Sequence, residues 1–196
     1  MMMHARGLRS LARCLTASIS VVLLAASAVQ ADESPEEQRK EITTMAQQTL
    51  DELYREIPSS KGAVKSAAGY GVFSNFGLKI FVLGTGKGEG VVVDKGSGKK
   101  TFMKMLQVGG GIGIGGKKFK LVFVFDDREA LNKFIDAGWE FGGTAESVAK
   151  WGDKGGAFEK AISVMPGVWV YQLTDKGVAL DAMVKGTKYY KNDDLN

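Results

Sequence analysis

The residue types that could do chemistry are concentrated in one block. Gly111 to Lys118, GIGIGGKK, contains G-x-G-x-x-G and comes close to a phosphate-binding loop. Both nucleotide motifs need a helix directly afterwards, because the phosphates bind at its N-terminal amides. Here Leu121 to Phe125, LVFVF, reads as a strand buried on both faces. Lys118 also stands where Ser or Thr must hold magnesium. The glycines are therefore expected to serve backbone geometry, marking a bulge, a tight bend or a close approach.

The lysines next to them remain as candidates. Lys117, Lys118 and Lys120 form one basic cluster, and Lys95, Lys99 and Lys100 a second. Solvated loop charge and capture of anionic head groups both fit such clusters. Each lysine near an anionic membrane contributes on the order of 1 kcal/mol. No aromatic residues are interleaved with them as in single-strand nucleic-acid binders. Asp126-Asp127 fits a helix cap better than a metal site, and no metal or cofactor is expected. Ser97 and Ser147 lie near lysines in sequence, which alone makes no Ser-Lys dyad. Trp139, Trp151 and Trp169 read as core or rim residues, with a lipid-facing role open for one or two.

The elements that must position these residues are an N-terminal helix and a glycine-rich sheet. Ser34-Pro35-Glu36-Glu37 carries an N-cap, a proline at the first helical position and a capping box. Ile42, Met45, Ala46, Leu50, Leu53, Tyr54 and Ile57 recur at helical spacing up to Pro58. The opposite face mixes acids and bases, which suits a helix packed on its own domain. A short helix is expected from Ser60 to Ala68, stopping at Gly69. Beyond Tyr70, short apolar runs alternate with glycine and short turns. Strands are expected at Val72-Phe73, Leu78–Leu83, Gly90–Val93, Thr101–Val108, Leu121–Phe125, Trp139–Gly143, Val168–Leu173 and Val178–Val184. One helix is inserted after Asp126-Asp127, and Lys185–Asn196 reads as a polar tail. The expected class is α+β: a curved, mostly antiparallel, glycine-rich sheet or partly closed barrel of about seven or eight strands, with an N-terminal amphipathic helix and one inserted helix.

Residues 1–31 read as a secretory signal peptide cleaved near Ala31. Arg6, Arg9 and Arg13 precede an apolar run, and Val29-Gln30-Ala31 offers small residues at the cleavage positions. Cleavage changes the chemistry that is available. The first 31 residues hold three of the 26 bases and none of the 22 acids, leaving 23 bases and a net charge of +1. The pI near 9.0 is thus largely the leader's doing and no argument for nucleic acid. The one histidine, His4, and the one cysteine, Cys14, leave with it. Ser-His-Asp, Cys-His, histidine-zinc and thiol redox chemistries leave too. Residues 32–196 are expected to form a single domain, with the helix at 32–58 and the sheet core at 59–196.

GTGKGEGVVV within Gly69 to Val93, QVGGGIGIGGKKFKLVFVFDDREALNKF, and VWVYQLTDKGVALDAMVKGTKYYKN together resemble the SYLF, or Ysc84-type, family. The likeness runs from about Ser60 to the end and rests on the order of glycine-rich strands. Membership would imply lipid binding without a catalytic signature. Eukaryotic relatives bind phosphoinositides, in part through an N-terminal amphipathic stretch, and fungal ones also bind actin. The helix from Ser34 to Ile57 occupies the place of that stretch. Bacterial members are typically secreted, in line with the leader.

The function expected is a non-enzymatic domain of the periplasm or cell envelope, peripherally associated with membrane. Lys117, Lys118 and Lys120, with Lys99 and Lys100, would contact anionic phospholipid head groups. The alternative is a structural or protein-interaction module of the envelope, with an envelope protein as partner.

Overall fold

The computed structural model describes residues 33–75, 87–107, 119–141, 150–151, 158–174, 177–179 and 187–196. Residues 33–196 form one compact unit. Helix α1 spans Pro35–Glu56. The Ser34 hydroxyl accepts from the Glu37 amide at 3.3 Å, and the Glu37 carboxylate accepts from the Ser34 amide at 3.0 Å. The expected capping box is thus present at its expected place. Helix α2 spans Ser60–Ser66. It ends on Ala67 in extended backbone rather than at Gly69, which is already in the first strand.

Among the described residues ten strands follow: β1 Gly69–Ser74, β2 Lys87–Asp94, β3 Lys100–Gln107, β4 Phe119–Phe125, β5 Trp139–Phe141, β6 Lys150–Trp151, β7 Ile162–Met165, β8 Val168–Thr174, β9 Gly177–Ala179 and β10 Thr187–Lys191. They form one sheet in the order β5-β10-β3-β2-β1-β4-β8-β7-β6, with β9 paired to β8. Every pairing is antiparallel. The α+β class and the mostly antiparallel sheet are as the sequence implies. Helix α3, Arg128–Ala137, is the inserted helix, capped by Asp127, whose carboxylate accepts from the Ala130 amide at 2.8 Å.

Period-2 alternation splits the core into two layers. Val72, Val91, Val122, Val124, Trp169 and Tyr171 face α1, where they meet Ile42, Ala46, Leu50, Leu53 and Ile57. Phe73, Val92, Met103, Leu121, Phe123 and Phe125 face the other way, against Leu131 and Phe134 of α3. β4 is covered on both sides, which explains its unbroken apolar run. Burying Ile42, Leu50 and Leu53 of α1 and its C-cap Ile57 contributes on the order of 6–12 kcal/mol before entropy. The amphipathic face of this helix is therefore committed to its own sheet.

Two expectations need correction. The stretch taken as a polar tail holds β10, between β3 and β5, and a 3-10 turn at Asp193–Leu195. Its alternation places Thr187 and Tyr189 inside while Lys188 and Tyr190 face out, so mean polarity hides the strand. Ile162–Met165 is a strand that was not expected, short and bulged between Ser163 and Met165. Gly138 enables the approach of β10. Its φ is +65°, and a Cβ there would sit 2.4 Å from the Tyr189 carbonyl oxygen. The glycine run 109–116 and the strand expected at Leu78–Leu83 lie outside the described residues. The strand required after the glycine run is present as β4.

Candidate functional site

The β2–β3 turn places charge at one end of the sheet. Asp94 opens it, accepting from the Gly96 amide at 2.8 Å, the Ser97 hydroxyl at 2.7 Å and the Arg128 guanidinium at 2.9 Å. Led by the Arg128 bond, these hold the Asp94 carboxyl well below the usual carboxylate range. The Ser97 hydroxyl thus donates to the Asp94 carboxylate and accepts from the Lys99 backbone amide at 3.2 Å, with no lysine ammonium on it among the described residues. The Lys95 ammonium turns back onto α2 and donates to the carbonyls of Val64 at 3.0 Å, Ala67 at 3.2 Å and Lys65. These are orphan carbonyls at the helix C-terminus, so Lys95 is a cap rather than a free cation. Lys99 and Lys100 are exposed and make no ion pair among the described residues. Lys65 of α2, also exposed, lies beside this turn through its carbonyl bond to Lys95, and the exposed Lys61 is one helical turn before it. Their contribution was not foreseen, because only the fold of α2 beside the turn brings them there.

Lys120 is elsewhere. It faces α1 and forms an ion pair with Glu52 at 2.6 Å, both side chains about 30% exposed. Lys120 lies opposite Ser74, Ser74 opposite Glu89, and Lys100 opposite Val93. Four residue rises along the strands and three strand spacings across separate Lys120 from Lys100, on the order of 20 Å. The structure therefore does not merge Lys120 with Lys99 and Lys100 into one patch. Lys117 and Lys118 lie outside the described residues.

Near Lys120, the same end of the sheet holds a cleft of about 260 Å³. Its walls include Ser74 of β1, Lys87 and Glu89 of β2, Lys104 and Met105 of β3 and Tyr190 of β10. Glu89 is 7% exposed and sits directly opposite Lys104. The Lys104 ammonium instead binds Asp194 at 3.1 Å. Burial pushes the Glu89 carboxyl up; Lys104 opposes that shift and Glu33 adds to it. Tyr190 is the exposed large hydrophobic residue among those described. A signal for this site is present in the sequence. In KGEGVVVD, Glu89 shares parity with Val91 and Val93, so an acid sits on the inward stripe.

The remaining candidates are structural. The Asp126 carboxylate accepts from the Trp169 indole at 2.9 Å, and Asp127 caps α3. Trp169 stacks on Phe158 with centroids 4.6 Å apart, and Trp139 packs edge-on to Phe134 at 5.6 Å. Among the described residues, no group of three or more His, Cys, Asp and Glu could hold a metal ion.

The described residues form a glycine-rich antiparallel sheet with basic turns. Residues 106–196 match the model of the Ysc84 family, described as "Las17-binding protein actin regulator". That segment is a match to a Ysc84, or SYLF, domain. It is also similar to Beta cell expansion factor A of Aeromonas veronii, with 37% identity over 159 residues. The aligned part covers 81% of this chain and 59% of that protein, so the chain spans about three fifths of its relative's length. The family match takes in β4, α3 and β5 to β10, and so includes Lys117, Lys118 and Lys120. Lys99, Lys100, Glu89 and Lys104 precede it.

Proposed function

We propose that this protein is a non-enzymatic lipid-binding module of the periplasm or cell envelope, exported by the leader in residues 1–31. It contacts anionic phospholipid head groups through lysine-bearing turns. The observation that carries this reading is the set of exposed, unpaired ammonium groups of Lys99 and Lys100, with Lys61 and Lys65 beside them. Lys117 and Lys118 would add a second contact, with Lys120 joining once released from Glu52. Four lysines at about 1 kcal/mol each correspond to roughly a thousandfold preference for anionic over neutral membrane. No helix among the described residues is long and apolar enough to cross a membrane. With its apolar face packed on the sheet, α1 leaves the contact to surface charge.

Co-sedimentation with anionic and neutral vesicles tests this. Binding to anionic vesicles should weaken at least a hundredfold on changing Lys61, Lys65, Lys99 and Lys100 to glutamate. A parallel variant with Lys117, Lys118 and Lys120 changed reports on the other end. Equal binding to both vesicle types, or no loss in either variant, refutes the reading. The family description, which names a protein partner, favours a second reading as a protein-interaction module. A stable partner from envelope extracts, with no vesicle binding, would select it.

A further inference from the structure

The cleft beside Glu89 has a charge pattern that the membrane reading does not use. Antiparallel register sets Ser74, Glu89, Lys104 and Tyr190 in one row across β1, β2, β3 and β10. Lys87, two residues before Glu89, shares its face. Glu89 is more than nine-tenths buried and opens on the cleft, yet its carboxylate makes no hydrogen bond or ion pair among the described residues. Its oxygens are not among the fully buried unsatisfied atoms, so they stay open to the cleft, and a carboxylate so enclosed without a protein partner is uncommon. The nearest cation across the strands, Lys104, is held by Asp194.

The balance of these charges selects the ligand. Lys87 and Lys104 line the wall with Glu89, Asp194 pairs with Lys104 from outside it and Glu33 acts on Glu89, so both signs of charge meet at the cleft. A simple anion drawn to the lysines would lie against the Glu89 carboxylate. A simple cation drawn to Glu89 would lie between two ammonium groups. A molecule carrying both charges a few bonds apart meets neither penalty, and its ammonium supplies the donors that Glu89 lacks. Met105 and the exposed Tyr190 ring provide apolar wall for the carbons between the charges.

We propose that this cleft binds an aminoalkyl phosphate zwitterion, with its primary ammonium on Glu89 and its phosphate toward Lys87 and Lys104. The chemistry is shared by free phosphoethanolamine and by the head group of an ethanolamine phospholipid. It does not rest on the anionic-lipid reading, and the two fail separately.

Titration calorimetry on the purified full-length protein tests it with phosphoethanolamine, phosphocholine, ethanolamine and inorganic phosphate. Phosphoethanolamine should bind at least tenfold tighter than either half-molecule. It should also bind tighter than phosphocholine, whose trimethylammonium cannot donate to Glu89. Glu89→Gln, nearly isosteric and free of the buried charge, should weaken phosphoethanolamine at least tenfold and leave phosphate unchanged. Glu89→Asp, which keeps the charge, should retain the preference and guards against a fold defect. Neutral phosphatidylcholine vesicles with and without phosphatidylethanolamine separate the two sources. Glu89-dependent binding to either the soluble compound or the ethanolamine vesicles supports the site and names its source. Binding to neither, tight binding of phosphate alone, or indifference to Glu89→Gln overturns it. Charge reversal at Lys99 and Lys100 should leave this binding unchanged, whatever it does to anionic vesicles.

Discussion

Replacing Gly90 with alanine tests the layer beneath the cleft. Gly90 lies opposite Phe73 in the β1–β2 pair, and the Phe73 ring leans across the bare position. A Cβ there would stand 2.2 Å from the Val72 carbonyl oxygen, and 2.4 Å and 2.7 Å from two Phe73 ring carbons. The carbonyl cannot rotate away, because it belongs to the neighbouring strand. β1 and β2 must therefore separate by about 1 Å, or Phe73 must be driven toward its partners. Those partners leave little room: the rings of Tyr189, Phe123 and Phe134 lie 4.8, 5.6 and 6.0 Å from that of Phe73. Overpacking of this kind costs about 1–3 kcal/mol. The lower chain entropy of unfolded alanine returns about 0.4–1 kcal/mol. A net loss of about 1–2 kcal/mol lowers Tm by roughly 2–8 °C for a domain of this size. Thermal melts followed by far-UV circular dichroism measure it, and near-UV circular dichroism should show a weakened aromatic signal. A Tm equal to or above the parent's would refute the claim that the bare face of β2 is filled by Phe73.

Glu89→Gln should flatten the pH dependence of stability. The folded carboxyl is raised above its usual 4.5, so its contribution is complete below about that pH and is lost as pH rises through the folded value. Burial raises it, Lys104 on β3 opposes the shift and Glu33 ahead of α1 adds to it, while Lys87 on β2 also lines the cleft. The Tm of the variant should exceed the parent's by more at pH 8 than at pH 4, and a constant difference would contradict the shift. Lys95→Met removes the cap from α2 and should cost about 1 kcal/mol. Hydrogen exchange of the amides in residues 64–67 should quicken about fivefold, and unchanged protection would show that the cap is idle. Ser34→Ala breaks the capping box of α1, with an expected loss of about 1 kcal/mol and 2–4 °C in Tm.

How much of this was legible depended on whether the signal was local. α1 announced itself completely, because cap, proline, box and apolar spacing all act within one helix. β4 could be read for a similar reason: burial on both faces leaves an unbroken run. β10 could not, since TKYYK averages to polar and its inward pair, Thr187 and Tyr189, needs β3 and β5 to define what inward means. The basic turns were visible as charge, but their roles were not. Lys95 and Lys120 look like their neighbours in sequence, and only the packing of α2 and α1 assigns one to carbonyls and the other to Glu52. Glu89 is readable from parity alone, as an acid on the inward stripe of β2.

The position of β10 also sets an order of events. β2 and β3 can close as a hairpin as soon as residue 107 exists, but the outer edge of β3 waits for residues 187–191, about eighty residues later. Until then a row of unpaired amides and carbonyls faces outward, a template for any passing strand. At synthesis rates of about 5–20 residues per second, that interval lasts roughly 4–16 s. The edge of β3 is thus sealed by a strand from beyond α3 and β8 rather than by its own hairpin.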